Sequence, residues 1–540
     1  MKLNISDQTV TFVPTCAKDI KAIKEHPLLP TCSRKYSVVQ NIIDRLRLDI
    51  KIPKFELKPL PPEFKFHTPP FPHQEIGLRF LLSFGGGGLL AEPGLGKTKM
   101  TLDYIYLMKF KRAVIVAPKP LIDVWIDEAA IHRPELALIP VTQKADDIVY
   151  GKEGLYVMSY AKFRMTREKL MAFRPEFLTL DEALILNGEK VTVKNKEDGT
   201  TSRKPSSLQS YTAWEVGQVS NYRSLASGTL VNNSVVDLYS PIRFLEPALV
   251  GRSISKFKER YLVIPKYGPR YFAKTPRNIE ELKSVLASCS IVMRKDDWLK
   301  DLPKKQRFTV QLPFPEEQSL LTKELISNRI AEVDGYLMTP ENPLTLMSII
   351  SQISCGFVYK ENKVPYYFSE QPKIKEVIRR MKEQGRKAIV WFNYSAEGRL
   401  ALRRFQDAGL DPAYVDGTTK DVKGVVREFN QSSRPVLLAQ SKVLNYGQTI
   451  LGNDDPGYGF IVDGNVFTEH FLSESYSYAT GIQQEDRVHR IGTKFPPEYY
   501  RYLSSPLDYD IRDTLEKKKD VSQDILKSVA DRLKIQLKMV

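Results

Sequence analysis

Short apolar runs recur along the chain at the spacing of strands that alternate with helices. A first series comprises Leu89–Ala91, Ala113–Ala117, Leu155–Met158, Phe177–Leu180 and Ser224–Ala226. A second series comprises Lys387–Phe392, Ala413–Val415, Val436–Ala439 and Phe460–Val462. Such runs, separated by helical segments, are typical of parallel sheets that are covered on both faces. We therefore predict an α/β fold with two sheet domains, at residues 67–249 and 371–505.

The N-terminal residues show a different pattern. Alternating segments around Leu3–Ile5 and Val10–Val13 predict a hairpin, and apolar positions at helical spacing predict a helix over Ser37–Leu48. The stretch from Pro53 to Pro72 holds seven prolines and is predicted to be an extended linker. We predict a small α+β module over residues 1–66, which either recognises substrate or caps the first domain.

Two further segments are predicted to be helical. Residues 250–370 are too long for an ordinary connection, and Asn278–Ala287 and Glu316–Val333 are compatible with helix, so this segment is predicted to be a largely helical insertion. Residues 506–540 are predicted to form a C-terminal helical brace. The apolar positions of that brace are Ile525, Leu526, Val529, Leu533 and Leu537.

Composition narrows the class of protein. Lys and Arg total 80 against 64 for Asp and Glu, and the resulting net charge of +16 suits a polyanion such as nucleic acid, although a basic soluble enzyme is an alternative. The four cysteines are far apart and form no C-x-x-C pair, which argues against a zinc ribbon or a disulfide framework. No apolar run of membrane-spanning length and no signal-peptide pattern appears, so an intracellular location and no membrane partner are predicted.

A phosphate-binding loop is predicted where the first strand meets a helix. Residues 91–98 fit G-x-x-x-x-G-K-[ST] except that Ala91 stands at the first glycine. Backbone N–H groups around Gly94 and Gly96 are expected to cradle phosphates at the helix N-terminus. Lys97 is expected to reach the outer phosphates, and the Thr98 hydroxyl to bind magnesium.

A carboxylate pair ends a later strand. Asp181 and Glu182 directly follow the apolar run Phe177–Leu180. Asp181 is predicted to hold the magnesium, and Glu182 to act as the general base for the attacking water. The alternative is an ordinary acidic pair at a strand end.

Two arginines close the series of motifs. Arg487 and Arg490 lie three positions apart in the segment Gln483–Gly492, and this spacing predicts that they share one face of a helix. Their guanidinium groups can stabilise charge that develops on a transferred phosphoryl group. The alternative is a helix that carries structural ion pairs.

Taken together, these motifs resemble the Swi/Snf-type superfamily 2 helicases over residues 70–535. Further matches in family order are Phe71–Gln74, Ala113–Leu121 with Trp125 and Glu128, Val157–Tyr160, Ser227–Asn233, Ile291–Lys295, Asp301–Pro303, Trp391–Tyr394 and Asp416–Thr419. The resemblance implies two RecA-like lobes that bind ATP and Mg²⁺, with Gln74 and Gly447 as further nucleotide contacts. It also implies DNA contacts at Pro118, Lys119, Ser159, Tyr160, Thr229, Asn233, Tyr394, Gly417, Thr418 and Ser441.

The chain departs from the family pattern at several points. Leu184 stands where the carboxylate box usually ends in histidine, and Leu230 replaces a proline. A hairpin with Asp198-Gly199 as its turn is predicted at Glu189–Arg203. The segment Ser473–Tyr478 resembles bacteriophage and prophage members, which implies the host cytoplasm as location.

The predicted function is an ATP-driven translocase on double-stranded DNA. It is expected to remodel branched DNA, by branch migration or reannealing, or DNA–protein complexes. The alternatives are a strand-separating DNA or RNA helicase and a DNA-binding scaffold with a vestigial ATPase. The basic stretches Lys256–Arg260 and Lys304–Arg307 are predicted to line a duplex groove, with a solvated surface as the alternative.

Overall fold

Two units, each built around one large parallel sheet, make up the chain. The computed structural model describes residues 4–6, 9–11, 57–141, 153–183, 186, 190–194, 201–205, 207–228, 234–251, 253–263, 275–444, 450–452, 463–519 and 527. The first unit comprises Met1–Trp298 with Asp520–Val540, and the second comprises Leu299–Lys519. None of the helices in the described part of the chain combines the length and the apolar character that a membrane span requires.

The sheet of the first unit has seven parallel strands in the order β13-β3-β10-β7-β4-β6-β5. All five predicted strands of the first series are confirmed. The strands of this unit are β1 (Asn4–Ser6), β2 (Thr9–Thr11), β3 (Gly86–Ala91), β4 (Arg112–Ala117), β5 (Leu138–Pro140), β6 (Gly154–Ser159), β7 (Phe177–Asp181), β8 (Lys190–Lys194), β9 (Thr201–Pro205), β10 (Tyr222–Ser227), β11 (Leu262–Val263), β12 (Thr275–Pro276) and β13 (Ser290–Met293).

Helices accompany this sheet. Every residue of β7 is buried, as expected for a strand apolar on both faces between covering layers. The helices are α1 (Pro72–Phe84), α2 (Lys97–Leu107), α3 (Ile122–His132), α4 (Tyr160–Met165), α5 (Arg167–Phe173), α6 (Leu208–Val219), α7 (Tyr239–Leu245), α8 (Pro247–Val250), α9 (Ile254–Tyr261), α10 (Ile279–Cys289) and α11 (Lys295–Trp298), with 3-10 turns at Lys119–Leu121 and Val235–Leu238.

Two predicted hairpins are confirmed in this unit. Strand β1 pairs antiparallel with β2, and β8 pairs antiparallel with β9 directly after the carboxylate pair. The proposed turn at Asp198-Gly199 and the helix predicted over Ser37–Leu48 lie outside the described residues.

The sheet of the second unit has six parallel strands in the order β14-β23-β22-β19-β21-β20. Three predicted strands are confirmed, and Phe460–Val462 lies outside the described residues. The strands of this unit are β14 (Gln306–Gln311), β15 (Ala331–Val333), β16 (Tyr336–Met338), β17 (Phe357–Tyr359), β18 (Pro365–Tyr367), β19 (Arg386–Phe392), β20 (Pro412–Val415), β21 (Val436–Gln440), β22 (Asp463–Phe471) and β23 (Glu498–Leu503).

The second unit also carries a helical layer and two small antiparallel hairpins, β15–β16 and β17–β18. A C-terminal helix begins at residue 506 and is described to residue 519, whereas the five apolar brace positions lie outside the described residues. The other helices are α12 (Glu316–Asn328), α13 (Pro343–Ser354), α14 (Pro372–Gln384), α15 (Ser395–Asp407), α16 (Val422–Gln431) and α17 (Tyr478–Glu485), with a 3-10 turn at Glu361–Lys363.

The segment 250–370 contributes to both main sheets. Strand β13 pairs with β3 in the first unit, and β14 pairs with β23 in the second. Several of its other described residues are helical, as predicted, but the two strands show that it is more than an insertion. The domain boundaries at 66, 249, 370 and 505 stay predictions.

Residues 57–71, described from the proline-rich stretch, belong to the first unit and pack against its helices. The Arg133 guanidinium donates to the Lys65 carbonyl at 2.9 Å and lies 4.9 Å from the centroid of the Phe64 ring. It is only 1% exposed and also bonds Asp103 Oδ1 at 2.6 Å. Farther along, Arg79 donates to the Leu57 carbonyl at 3.1 Å. This stretch is therefore held to the helices of the first unit.

Arg133→Ala is expected to destabilise the first unit by about 3–5 kcal/mol, because it leaves the Asp103 carboxylate buried with one cation fewer. The measurement is chemical unfolding of the variant beside Arg164→Ala, which removes an exposed arginine and should change stability by less than about 0.5 kcal/mol. Deleting residues 1–56 is expected to leave stability unchanged. Equal stability of both arginine variants would show that this anchor is dispensable.

Candidate active site

The phosphate-binding loop connects β3 to the N-terminus of α2, as predicted. Gly94 and Gly96 have φ values of 90° and 79°, a region that side chains disfavour. A Cβ at Gly96 would lie 2.2 Å from Gln74 Nε2, so this contact and the positive φ together favour glycine. The Lys97 ammonium donates to the Ala91 carbonyl at 2.7 Å and so lies back over the loop. This close-fitting backbone cradle suits a phosphate group.

Two neighbouring residues of α1 support this loop. Gln74 is 7% exposed, and its Oε1 accepts the Phe71 backbone N–H at 3.1 Å. His73 Nε2 bonds the Leu95 carbonyl within the loop at 2.9 Å. Burial lowers the pKa of His73 below its ordinary value, which favours the neutral ring. The structure thus brings Gln74, a predicted nucleotide contact, beside the predicted phosphate loop.

Asp181 lies at the carboxyl end of β7. Its Oδ2 accepts the Trp125 indole N–H at 2.9 Å, and its Oδ1 accepts the Glu182 backbone N–H at 3.0 Å. Burial raises the pKa of the Asp181 carboxyl, and the Lys97 charge and the Trp125 hydrogen bond oppose that rise. A cation close to this carboxyl would favour its ionised form.

Glu182 follows at a sharp change in backbone direction. Its φ of 51° lies in the left-handed region, which is uncommon for any residue except glycine. Such strain is often found at functional sites. The Tyr160 hydroxyl donates to the Asp181 carbonyl at 2.7 Å, directly before this bend. A hydrogen bond from Tyr160, the first residue of α4, thereby stabilises the bend.

Trp125 and Tyr160 both donate hydrogen bonds to Asp181, a role that was not predicted from the sequence. Tyr160 was predicted to contact DNA, but the side chains of Trp125 and Tyr160 are only 1% and 4% exposed. Buried Trp and Tyr need a partner for their polar atom. Both residues follow strands near β7, and that proximity is the signal that would have indicated their roles.

The other DNA contacts predicted in this unit follow the carboxyl ends of its strands. Lys119 is exposed in the turn after β4, whereas Pro118 before it is buried. Ser159 accepts the Lys162 backbone N–H at 3.2 Å and so caps α4. Thr229 and Asn233 lie outside the described residues.

The corresponding edge of the second sheet carries the remaining predicted contacts. Gly417 and Thr418 are exposed after β20, and Asp416 Oδ1 accepts the Thr418 backbone N–H at 2.8 Å. Tyr394 is half-buried, with its hydroxyl 3.1 Å from Ser351 Oγ. Ser441 is 2% exposed and accepts from the Gln484 amide. Gly447 lies outside the described residues.

The two arginines lie on a turn, and the prediction that they share a helical face is wrong. Helix α17 ends at Glu485, and the backbone N–H of Arg487 bonds the Gln484 carbonyl three residues back at 2.8 Å. Arg487 Nε donates to the Gln483 carbonyl at 3.0 Å, and Arg490 Nε donates to the Asp486 carbonyl at 2.8 Å. The guanidinium groups thus satisfy carbonyls at the helix end, which favours the turn over a further helical turn.

Glu485 lies within a cluster of cations beside this turn. Its carboxylate is 2% exposed and accepts from Arg307 and Arg501, each at 2.7 Å, and from Lys305 at 3.1 Å. Burial alone would raise the pKa of Glu485, but the charges of Lys305, Arg501 and Arg307 bring it far below its ordinary value. Lys305 and Arg307 are thus both paired with Glu485, and the duplex groove predicted along this stretch stays a prediction.

The residues that could hold magnesium are few. Among the residues that the structure describes, no group of three or more His, Cys, Asp or Glu side chains could hold a metal ion. Magnesium is often held by one or two protein oxygens together with substrate phosphates. Thr98 and the buried Asp181 fit that mode of binding.

Comparison with known proteins identifies the family. Residues 73–355, just over half of the chain, match the SNF2-related domain family. The chain belongs to this family. It therefore carries an SNF2-type ATPase domain and uses ATP. The resemblance inferred from the motifs is thus confirmed, whereas a bacteriophage origin stays a prediction.

Among relatives of this SNF2-type chain is the Zorya protein ZorD of Escherichia coli, 23% identical over 513 residues that cover 87% of this chain and 46% of the relative. The ISWI chromatin-remodeling complex ATPase ISW2 of Saccharomyces cerevisiae is 22% identical over 80% of this chain and 38% of the relative. The chain thus spans less than half the length of these relatives. The SWI2/SNF2 ATPase core of Sulfolobus solfataricus in complex with dsDNA is 19% identical over 88% of this chain and 96% of that one, with a TM-score of 0.40.

Proposed function

We propose that this protein is an ATP-driven translocase on double-stranded DNA. The observation that supports it most is the placement of Lys97, Asp181 and Glu182 at one edge of the first sheet, combined with SNF2-family membership. Lys97 binds the outer phosphates, and Glu182 orients and deprotonates the attacking water. Magnesium, when held by Thr98 and Asp181, neutralises phosphate charge.

In this proposal the second unit supplies Arg487 and Arg490. Their guanidinium groups stabilise the charge that develops on the transferred phosphoryl group. In this proposal hydrolysis is coupled to a conformational change of the protein. That coupling turns the ATPase into a motor.

The proposed track is duplex DNA, held mainly through its phosphates. The net charge of +16 supports a polyanionic partner, and the exposed Lys119, Gly417 and Thr418 offer an ammonium group and small polar or backbone groups suited to phosphate oxygens. The yeast relative is a chromatin-remodeling complex ATPase, which also favours a duplex partner. We propose that the product of this movement is a remodelled DNA structure or DNA–protein complex.

ATPase turnover is expected to rise more with duplex DNA than with single strands, because phosphates of both strands form the track. The measurement compares turnover with duplex, single-stranded, forked and four-way-junction DNA over a range of salt, since phosphate contacts give steep salt dependence.

If residues 1–66 recognise branched substrates, deleting residues 1–56 should remove any preference for forks while duplex stimulation remains. Stimulation by single strands alone would favour a conventional helicase.

A further inference from the structure

The segment Pro303–Arg307 is joined to the turn that carries the two arginines. The His489 ring bonds the Pro303 carbonyl at 2.9 Å, and the Arg307 guanidinium donates to Glu485 at 2.7 and 3.0 Å. Strand β14 starts one residue after Lys305 and pairs in parallel with β23, whose Tyr499 hydroxyl donates to the Glu485 carbonyl at 2.9 Å. Side chains of β14 and β23 therefore hold the residue that directly precedes the turn, Glu485.

Lys305 differs from the other cations of this cluster because it bridges two consecutive acidic residues. Its Nζ lies 3.1 Å from Glu485 Oε2 and 3.0 Å from Asp486 Oδ1, and its side chain is only 15% exposed. Glu485 also forms ion pairs with Arg307 and Arg501. The Asp486 carboxylate pairs with the Lys305 ammonium at 3.0 Å and also lies 3.9 Å from His489 Nδ1.

Asp486 connects Lys305 to a catalytic candidate. Its carboxylate accepts the Lys305 ammonium, while its main-chain carbonyl accepts Arg490 Nε at 2.8 Å. Fixing the Asp486 side chain therefore fixes the peptide group that orients the Arg490 guanidinium. Although burial opposes it, the charges of Asp486 and Glu485 raise the pKa of Lys305, which keeps this link charged at physiological pH.

We propose that Lys305 is a positioning residue for the ATPase reaction, which orients the Arg490 guanidinium through Asp486. This inference rests on the proposed function, in which Arg490 stabilises the transferred phosphoryl group. A positioning role differs from DNA binding in its kinetic consequence. A guanidinium displaced by about 1 Å costs on the order of 10²-fold in rate, whereas the loss of one phosphate contact weakens DNA affinity and reduces its salt dependence.

Lys305→Met is expected to lower kcat by about 10- to 100-fold while the KM for ATP and the affinity for duplex DNA stay within about twofold of wild type. Lys305→Arg should restore much of kcat, because it keeps the charge. The matched control is Lys382→Met, which removes an exposed lysine of α14 in the same unit and should retain wild-type turnover. Thermal unfolding identifies variants that are folded. If Lys305→Met does not fold, Asp486→Asn, which leaves the pairs of Glu485 with Arg307 and Arg501 in place, is expected to show the same loss of kcat.

A double-mutant cycle separates positioning from general destabilisation. In the Arg490→Ala background, Lys305→Met should lower the single-turnover rate by less than about twofold, because the group it positions is gone. An equal loss in both backgrounds would overturn the inference, as would reduced DNA affinity with a smaller salt slope, or turnover of Lys305→Met equal to that of the control. If Arg490→Ala itself keeps wild-type turnover, the proposed role of the arginines fails instead. An inactive Arg490→Ala with a fully active Lys305→Met refutes only the positioning role.

Discussion

Replacing Lys97 with alanine is expected to lower the rate of ATP hydrolysis by at least about 10²-fold, while affinity for DNA stays nearly unchanged. The Lys97 ammonium lies over the phosphate loop, 2.7 Å from the Ala91 carbonyl, and its loss removes the charge that meets the outer phosphates. The positive charge available to DNA is spread over a chain with a net charge of +16. Steady-state turnover and duplex binding of the variant measure the two effects.

The matched control for this variant is Lys109→Ala. Lys109 is exposed shortly after the end of α2, the helix that Lys97 begins, so its loss alters the surface without touching the loop. We expect wild-type turnover for this control. DNA-stimulated turnover retained in Lys97→Ala would rule out this loop as the site of hydrolysis.

Arg490→Ala is expected to lower the hydrolysis rate by about 10³- to 10⁵-fold, the range found when an arginine that stabilises transferred phosphoryl charge is removed. ATP binding should remain, because this charge acts mainly in the transition state. Arg490→Lys should also be slow, since an ammonium cannot keep the Nε bond to the Asp486 carbonyl and present further donors. Single-turnover hydrolysis with a separate nucleotide-binding measurement tests this, and turnover within a few-fold of wild type would contradict the assignment.

The sheets and the phosphate loop could be predicted because their signals are local. Parallel strands covered on both faces are apolar along their whole length, so Phe177–Leu180 stands out from its neighbours. The chemistry follows at the carboxyl ends of such strands, as Asp181 does. Strand β14 was not predicted, because its sequence is not a continuous apolar run. Five of its six residues are exposed, so the strand does not need such a run.

The arrangement around the arginines depends on contacts between distant residues and could not be predicted. Spacing alone suggested a helix through Arg487 and Arg490, but hydrogen bonds from their Nε atoms to main-chain carbonyls accompany the helix end at Glu485. The partners of Glu485 include Arg307, 178 positions earlier in the chain. A basic stretch near residue 305 suggests a nucleic-acid contact until the acidic residues that it faces are known.

The central claim is that ATP hydrolysis drives movement along intact duplex DNA. The most direct test is displacement of a triplex-forming third strand from a duplex that has no single-stranded tail, with Lys97→Ala as the inactive comparison. We expect wild-type protein to displace the third strand only with ATP, while the two strands of the duplex stay paired. Failure to displace it, together with efficient unwinding of a duplex that carries a single-stranded tail, would contradict the account and indicate a strand-separating helicase.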